Sequence, residues 1–236
     1  MTVTPAGTPP VAEVTAPDQL PDALAALGIP ARRPVLVCVG GADGMSAADL
    51  AKVERFVADN LVAVLERHRA VVVDGGTDSG LMSVLGRARH AADAGFTLLG
   101  VAAAQTVGPG RDGVGLERHH SAVVLVPGAT WGDESPWLAA VADLVAGALP
   151  SATLVVNGGT VTYRDVEESL GAGRRVLVVA GSGRAADAIA SAASGGATDA
   201  RTARIAASPL VTTYSIDSPD QLAAAVDAAL TPPRPG

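Results

Sequence analysis

The sequence is poor in aromatic residues, lysine and cysteine, and each scarcity narrows the class of protein. Aromatic residues make up 3% of the 236 residues and hydrophobic residues 48%, so any core is built from valine, alanine and leucine. The single cysteine, Cys38, excludes an internal disulfide framework and indicates a buried thiol, because it lies inside an apolar run. We therefore expect a cytoplasmic protein consisting of one α/β domain.

A cationic surface and a long apolar segment are also missing. The formal net charge is -7, and no cluster of Lys and Arg is present that could contact successive phosphates of a duplex. No apolar run approaches the ~20 residues needed to span a bilayer, and the amino terminus lacks an export-signal pattern. We therefore expect neither nucleic acid nor a membrane as a partner.

Short runs rich in β-branched residues alternate with helical patterns along the chain. The strand-like runs lie at 35–39, 71–73, 97–102, 122–126, 153–156 and 176–179, with a further one at 211–214. Helical patterns lie at 47–66, 79–94, 136–149, 164–170, 184–193 and 219–230. This alternation predicts a Rossmann-like three-layer α/β/α sandwich with a mostly parallel sheet of about six or seven strands. The predicted domain covers 34–230, after a tail and short helix at 1–33 and before a flexible tail at 231–236.

Glycines gather directly after these apolar runs. The segments are Val39–Gly41, Asp74–Gly80, Val126–Gly128, Asn157–Gly159 and Ala180–Gly183. Because parallel strands end at the same edge of a sheet, we expect the five loops to converge where ligands of open α/β sheets bind. Glycine permits close backbone approach, and the following helices present N–H groups to an anion. The pattern predicts a site for a phosphate-bearing ligand.

The loop at Gly75–Gly80 is the most specific of these segments. Thr77 and Ser79 offer hydroxyl groups beside glycine amides that could cradle a phosphate. The alternative is that Ser79 only caps the following helix.

A second loop, Gly181–Ala186, matches the dinucleotide fingerprint with alanine in the third place, and Asp199 lies near the usual distance for a ribose-binding acid. The fingerprint normally follows the first strand, whereas this one follows a late strand, so a redox cofactor is disfavoured. Arg184 is predicted to bind a phosphate with its guanidinium group. The alternative is an ion pair with Asp187, which would also complement the helix dipole.

Both tryptophans fall in one loop. Trp131 is predicted to stack on a base, whereas Trp137 opens an apolar helix and more simply fills a gap beneath the loop. Metal binding by His119 and His120 is disfavoured, because adjacent side chains of an extended segment point to opposite faces. Ser46 and Asp49 form a capping box.

Catalytic motifs are incomplete. No nucleophile elbow of the form Gly-x-Ser-x-Gly occurs, and the only lysine, Lys52, lies in a helical pattern rather than in a Walker loop. We predict no catalytic residue, no metal and no required cofactor.

Several segments together resemble the prokaryotic branch of the SLOG superfamily, which is related to the cytosolic nucleotide-sensing (LSDAT) domain of melastatin-type TRP channels. The segments are Val39–Gly41, Val73–Met82, Leu125–Gly128 with Trp131–Ser135, Asn157–Gly159 and Val179–Asp187. The resemblance covers 34–230 and implies a Rossmannoid fold that binds a nucleotide derivative such as ADP-ribose. Since the channel portion is absent, it implies a stand-alone sensor or an enzyme.

The same superfamily contains phosphoribohydrolases, often labelled lysine decarboxylase-like, which carry a Pro-Gly-Gly-x-Gly-Thr loop followed by a glutamate. Here Pro127–Thr130 lacks the glycines, and Asn157–Thr160 lacks the proline although Glu167 follows. The alternative to a sensor is therefore a nucleotide N-glycosidic hydrolase in which Glu134 or Glu167 polarises a water or steadies a ribosyl cation.

The leading hypothesis is a sensor for an ADP-ribose-like nucleotide, compatible with a homo-oligomer and with an unidentified effector protein. The predicted ligand-binding residues are Gly40, Gly41, Gly75, Gly76, Thr77, Ser79, Gly80, Met82, Gly128, Trp131, Gly132, Glu134, Ser135, Asn157, Gly158, Gly159, Gly181, Ser182, Gly183, Arg184 and Asp187.

Overall fold

Parallel strands joined by helices organise the part of the chain that the computed structural model describes, residues 7–41, 44–108 and 114–232. The strands are β1 Val11–Glu13, β2 Val35–Gly40, β3 Val71–Asp74, β4 Thr97–Ala103, β5 Ala122–Val126, β6 Ser151–Val156, β7 Arg175–Ala180 and β8 Val211–Ser215. They form one sheet in the order β1-β5-β4-β3-β2-β6-β7-β8, with every neighbouring pair parallel. The predicted Rossmann-like architecture is confirmed, with one strand more than the upper predicted number.

β1 is the strand that the sequence pattern does not predict. Val11, Ala12 and Glu13 pair with Val123–Leu125 of β5, and the Val123 N–H donates to the Pro10 carbonyl at 2.8 Å. Three residues beside prolines carry no usable alternation of polar and apolar side chains, so the pairing partner decides the structure here. The sheet therefore includes residues that precede 34. Residues 1–6 and 233–236 of the predicted tails lie outside the described part of the chain.

Helices cover both faces of the sheet. They are α1 Leu20–Ala26, α2 Ala47–Phe56, α3 Val62–His68, α4 Gly80–Ala91, α5 Ser135–Ala146, α6 Thr160–Gly171, α7 Arg184–Ala193, α8 Ala200–Ala206 and α9 Pro219–Leu230. A 3₁₀ turn, Pro17–Gln19, precedes α1, and a π-helical turn, Val57–Leu61, joins α2 to α3 along the predicted 47–66 helix. Ser46 caps α2 as expected, because its Oγ accepts from the Asp49 N–H at 3.1 Å. None of the described helices has the length and hydropathy required to cross a bilayer.

Alternation along each strand divides the core into two layers. In β2, Val35, Val37 and Val39 pack in the cluster that includes α1, α5 and α7, whereas Leu36 and Cys38 pack with α2, α3, α4 and α9. All five side chains are buried, as expected for a parallel sheet covered on both faces. The result is three layers, helix on sheet on helix.

The chain reverses its direction of travel across the sheet beside β2. From β2 it continues to β3, β4 and β5 on one side, and later returns to place β6, β7 and β8 on the other. The loops after β2 and β6 therefore diverge and leave a crevice at their carboxyl ends, which is where open α/β sheets bind ligands.

Candidate functional site

A cavity of about 350 Å³ lies at this topological switch point. Its walls come from the carboxyl end of β2 and from segments that follow β3, β5, β6 and β7, while Val114 contributes from the stretch before β5. The volume falls in the range of small-molecule sites. The ends of the parallel strands therefore meet at one edge, and residues from each of the five predicted glycine loops, or shortly after it, reach one common space.

The sequence-predicted site residues divide into two groups. Those that line the cavity are Gly40, Gly41, Gly75, Thr77, Met82, Trp131, Glu134, Gly159 and Arg184. Those that lie outside its lining are Gly76, Ser79, Gly80, Gly128, Gly132, Ser135, Asn157, Gly158, Gly181, Ser182, Gly183 and Asp187. Lining residues that the sequence analysis did not select are Cys38, Val39, Val114, Leu138, Thr160, Val161, Thr162 and Asp165.

One wall is formed by the beginning of α6 and by Arg184. Residues Gly159–Thr162 all line the cavity, and the first N–H groups of a helix have no partner within the helix. One of them is already used, since the Gly159 N–H donates to Thr162 Oγ1 at 3.2 Å. The remaining amides and the positive end of the helix dipole favour an anion.

The Arg184 guanidinium reaches the same wall from the first position of α7. A methyl group built on Gly159 would lie 3.1 Å from Nη2 of Arg184, and one built on Gly44 would lie 3.1 Å from Nη1. The guanidinium therefore lies between the loop after β2 and the start of α6. We call the residues Gly159–Thr162 and Arg184 the anion cradle, because they combine backbone donors with a planar cation suited to phosphate.

Asn157 and Ser182 lie behind the anion cradle and join two loops. The Asn157 N–H donates to Ser182 Oγ at 2.8 Å, and Asn157 Nδ2 donates to the Ser182 carbonyl at 2.7 Å. Asn157 Oδ1 accepts from the Gly158 N–H at 2.8 Å, while Ser182 Oγ donates to the Val179 carbonyl at 2.6 Å. These polar groups are used within the protein and fix the positions of the loops.

The carboxyl groups in and after the dinucleotide-like segment also form hydrogen bonds that stabilise the fold and do not line the cavity. The Asp187 carboxylate accepts from the Gly181 N–H at 2.6 Å, which closes the turn after β7. Asp199, the candidate ribose-binding acid, caps α8 by accepting from the N–H groups of Arg201 and Thr202. In this segment Arg184 is the residue that reaches the cavity.

The opposite wall is formed by the loop after β3. Gly75, Thr77 and Met82 line it, and Thr77 Oγ1 is buried with no hydrogen-bond partner among the described residues. A backbone bridge from Thr77 to Leu116 holds this wall against the segment that carries Val114. Ser79 occupies the cap position of α4 with an extended backbone, outside the lining.

Beneath this wall, His120 joins two buried acids. Its Nε2 lies 2.8 Å from Asp74 Oδ1 and its Nδ1 lies 2.8 Å from Glu117 Oε2. Burial opposes the imidazolium charge most strongly, but the two carboxylates outweigh it and raise the pKa of His120 to about 9. The group is an ion network that ties the end of β3 to the stretch before β5, and the sequence analysis did not predict it.

His119 points away from that network. Its ring stacks on His90 with 4.1 Å between ring centroids, and burial lowers its pKa. Within residues 7–41, 44–108 and 114–232, no group of three or more His, Cys, Asp and Glu side chains is placed to hold a metal ion.

Two carboxyl groups face the cavity beside the anion cradle. Glu134 Oε2 accepts from the Gly132 N–H at 2.9 Å, and burial raises the pKa of Glu134. Asp165 Oδ1 accepts from Ser135 Oγ at 2.6 Å, and burial raises the pKa of Asp165 to about 7, with Glu134 acting in the same direction. Neither carboxyl forms an ion pair with a described Lys or Arg. With a pKa of about 7, the Asp165 carboxyl can exchange a proton near neutral pH.

Glu167, the other acid considered for hydrolysis, lies away from the cavity. Its carboxylate binds Arg201 with N–O distances of 3.0 and 2.7 Å, and this hydrogen bonding lowers the pKa of Glu167. Asp165, two residues earlier, is the acid that α6 presents to the site. The position of Glu167 therefore argues against the part of the hydrolase hypothesis that uses it.

The tryptophans take different positions. Trp131 lines the cavity and is 46% exposed, so its ring lies at the rim. Trp137 packs partly buried against the core layer that contains α5. Only Trp131 is placed where it can contact a ligand.

Comparison with known proteins assigns the family. A family model described as SLOG in TRPM, prokaryote, matches residues 33–224, which is most of the chain. No protein with curated annotation matches the sequence. The matched span contains the anion cradle, both cavity carboxyls and the His120 network. The chain therefore belongs to the prokaryotic family of SLOG domains related to those of TRPM channels.

Proposed function

We propose that this domain is a sensor that binds a nucleotide derivative of the ADP-ribose type in the cavity at the switch point. The observation that carries the proposal is the anion cradle, in which the start of α6 and the Arg184 guanidinium face one cavity. Backbone amides at a helix start and a guanidinium are the donors that phosphate prefers in proteins.

The rest of the cavity suits the remainder of such a ligand. Met82, Leu138 and Val161 give apolar wall, and Trp131 supplies an aromatic face at the rim. Apolar walls with a few placed polar groups are typical of sites for small organic ligands, and an indole can stack on a base.

Calorimetric titration with ADP-ribose, AMP, NAD and cyclic nucleotides tests the proposal. We expect at least one phosphate-bearing ligand to bind, and Arg184→Ala to weaken that binding on the order of tenfold or more, because a charge-assisted hydrogen bond is removed. Arg204→Ala is the matched control, since this arginine is exposed and lies outside the cavity lining. Absence of binding by every ligand, or equal losses in the two variants, would refute the proposal.

A second candidate function, nucleotide N-glycosidic hydrolysis, is favoured by the two cavity carboxyls. A protonated carboxyl would donate to the departing base while the other, ionised, accepts a proton from the attacking water. The C1′–N bond breaks, a C1′–O bond forms, and the products are the free base and a ribosyl phosphate. The raised pKa of Glu134 and the pKa of Asp165 of about 7 suit that division of roles.

Chromatography of AMP and NAD after incubation with the protein distinguishes the two candidates. Hydrolysis predicts release of adenine or nicotinamide that Glu134→Gln and Asp165→Asn abolish and that Glu167→Gln retains. Binding without release of base favours the sensor.

For the sensor, we propose action in the cytoplasm without a bound metal or further cofactor, and an output through an effector protein. The buried thiol of Cys38 supports a reducing location. Ligand-dependent capture of an effector, measured with wild type and Arg184→Ala, tests the output.

A further inference from the structure

One helical turn after residues Gly159–Thr162 of the anion cradle, α6 carries a carboxyl group that faces the same cavity. Asp165 follows Thr162 by three residues and Val161 by four, and all three line the cavity. Residues at these spacings lie on one face of a helix, about one 5.4 Å turn apart along its axis. A phosphate held at the start of α6 would therefore have the Asp165 carboxyl as its neighbour along the helix.

The Asp165 carboxyl retains capacity to accept hydrogen bonds. Ser135 Oγ donates to Oδ1 at 2.6 Å, and Oδ2 has no hydrogen bond to any residue within the described ranges. Oδ2 is not one of the fully buried polar atoms, and Asp165 lines the cavity, so this oxygen can be reached by a ligand there. When Asp165 is ionised its carboxylate only accepts hydrogen bonds, so a group that binds to this form must donate them.

The charged surroundings of Asp165 limit what that donor is. Glu134 from the loop before α5 and Glu168 from α6 add negative charge, whereas Arg164 from α6 adds positive charge. The anion cradle beside it, with the positive end of α6 and Arg184, would repel a cationic group on the ligand. Neutral hydroxyl donors satisfy the carboxylates without that repulsion.

We propose that Asp165, with Glu134 beside it, recognises the 2′- and 3′-hydroxyl groups of a ribosyl phosphate whose phosphate lies in the anion cradle. This inference rests on the proposed function and adds a specificity to it, namely ribose over deoxyribose. The hydroxyls of a ribose 5′-phosphate lie a few bonds from the phosphorus, a separation comparable with one turn of α6. A carboxylate that accepts both vicinal hydroxyls uses the oxygen that the protein leaves open.

Calorimetry with AMP, 2′-deoxy-AMP and 3′-deoxy-AMP at pH 8.5 tests the inference, because these probes share the base and the phosphate. This pH keeps the Asp165 carboxyl mainly ionised. We expect wild type to bind AMP at least about tenfold more tightly than either deoxy form, the scale of a hydrogen bond to a charged group. In Asp165→Asn the preference should fall to about threefold or less, while AMP still binds through its phosphate.

Glu168→Gln is the matched control, because it removes one negative charge from the same helix outside the cavity lining. It should retain the wild-type preference. Thermal unfolding of each variant reports whether it is folded, and the wild-type comparison of the three probes requires no variant.

The outcomes separate the inference from the proposed function. If AMP binds wild type and both deoxy forms bind equally well, hydroxyl recognition is wrong and nucleotide binding stands. A preference that survives in Asp165→Asn refutes the role of Asp165. If neither AMP nor ADP-ribose binds wild type, the proposed function fails and the inference falls with it.

Discussion

Replacing His120 by glutamine should destabilise the protein in a strongly pH-dependent way. The imidazolium lies between Asp74 and Glu117 at 2.8 Å from each, and all three side chains are nearly inaccessible to solvent. Glutamine has a similar size but carries no charge, so the variant leaves two buried carboxylates without their cation. Breaking a buried ion pair from one side costs about 3–5 kcal/mol.

The pKa gives a second estimate of the same quantity. A rise from 6.5 to about 9 corresponds to about 3 kcal/mol, at about 1.4 kcal/mol for each tenfold change in proton affinity. Because the folded-state pKa is raised, this stabilisation is complete below pH 6.5 and disappears as the pH rises through 9. The two estimates agree that the network contributes on the order of 3 kcal/mol at neutral pH.

Urea unfolding of wild type and His120→Gln at pH 6 and pH 9.5, followed by circular dichroism, measures this contribution. The difference in free energy of unfolding should be about 3 kcal/mol at pH 6 and should shrink toward zero at pH 9.5. His68→Gln is the control, because the partner of His68, Asp227, is 41% exposed and the pair should contribute about 1 kcal/mol or less. If the free energies of unfolding of wild type and His120→Gln differ by less than about 1 kcal/mol at pH 6, or by the same amount at both pH values, His120 does not act as a buried cation between the two acids.

Three further predictions concern Gly100 in β4, Ser182 in the loop after β7 and Glu167 in α6. Gly100→Ala should lower the free energy of unfolding by about 1–3 kcal/mol in urea titration, because its Cβ would lie 2.6 Å from Gly76 Cα; an unchanged midpoint would show that the close approach is not required. Ser182→Ala should destabilise the fold by about 1–3 kcal/mol, since the Asn157 N–H would lose its acceptor in the interior; a change within 0.5 kcal/mol would refute this. Glu167→Gln should leave the affinity for ADP-ribose within about twofold, because Glu167 lies outside the cavity; a tenfold loss measured by calorimetry would place it in the site.

The elements that the sequence predicts are those whose signal is local. Buried parallel strands such as β2 and β7 are continuous apolar runs, and the glycines that follow them mark the loops. The start of α7 was predicted at Arg184, where the structure has it. Convergence of the loops then follows from the parallel arrangement, because all carboxyl ends share one edge.

What the sequence does not predict depends on partners far along the chain. β1 is a strand because β5 accepts it, and α8 begins where Asp199 happens to cap it. Likewise, the local rule that adjacent side chains point oppositely separates His119 from His120 but cannot reveal that Asp74, 46 positions earlier, receives the buried ring. The fold class is therefore easier to predict from the sequence than the ion network of His120, Asp74 and Glu117.

The residues that line the cavity show the same limit of prediction from local sequence. Gly159 and Arg184 carry visible signals, whereas Thr160 and Val161 precede the predicted helix at 164–170 and Asp165 is an ordinary position within it. They become part of the site because β6 lies next to β2 and so directs the start of α6 over the switch point. Glu167, the acid that the incomplete hydrolase motif points to, lies two residues after Asp165, which lines the cavity.

The adjacency of β2 and β6 also determines the order in which the parts of the site form during synthesis. β2 ends at Gly40 and β6 begins at Ser151, so during synthesis β2 is complete long before β6, its neighbour in the sheet, has been made. Strand pairings between residues so far apart in the sequence form slowly. A nascent chain that stops before α6 lacks the cavity-lining residues of α6 and also Arg184, so its cavity is incomplete; under the proposed function, a ligand would stabilise only a chain that extends past Arg184.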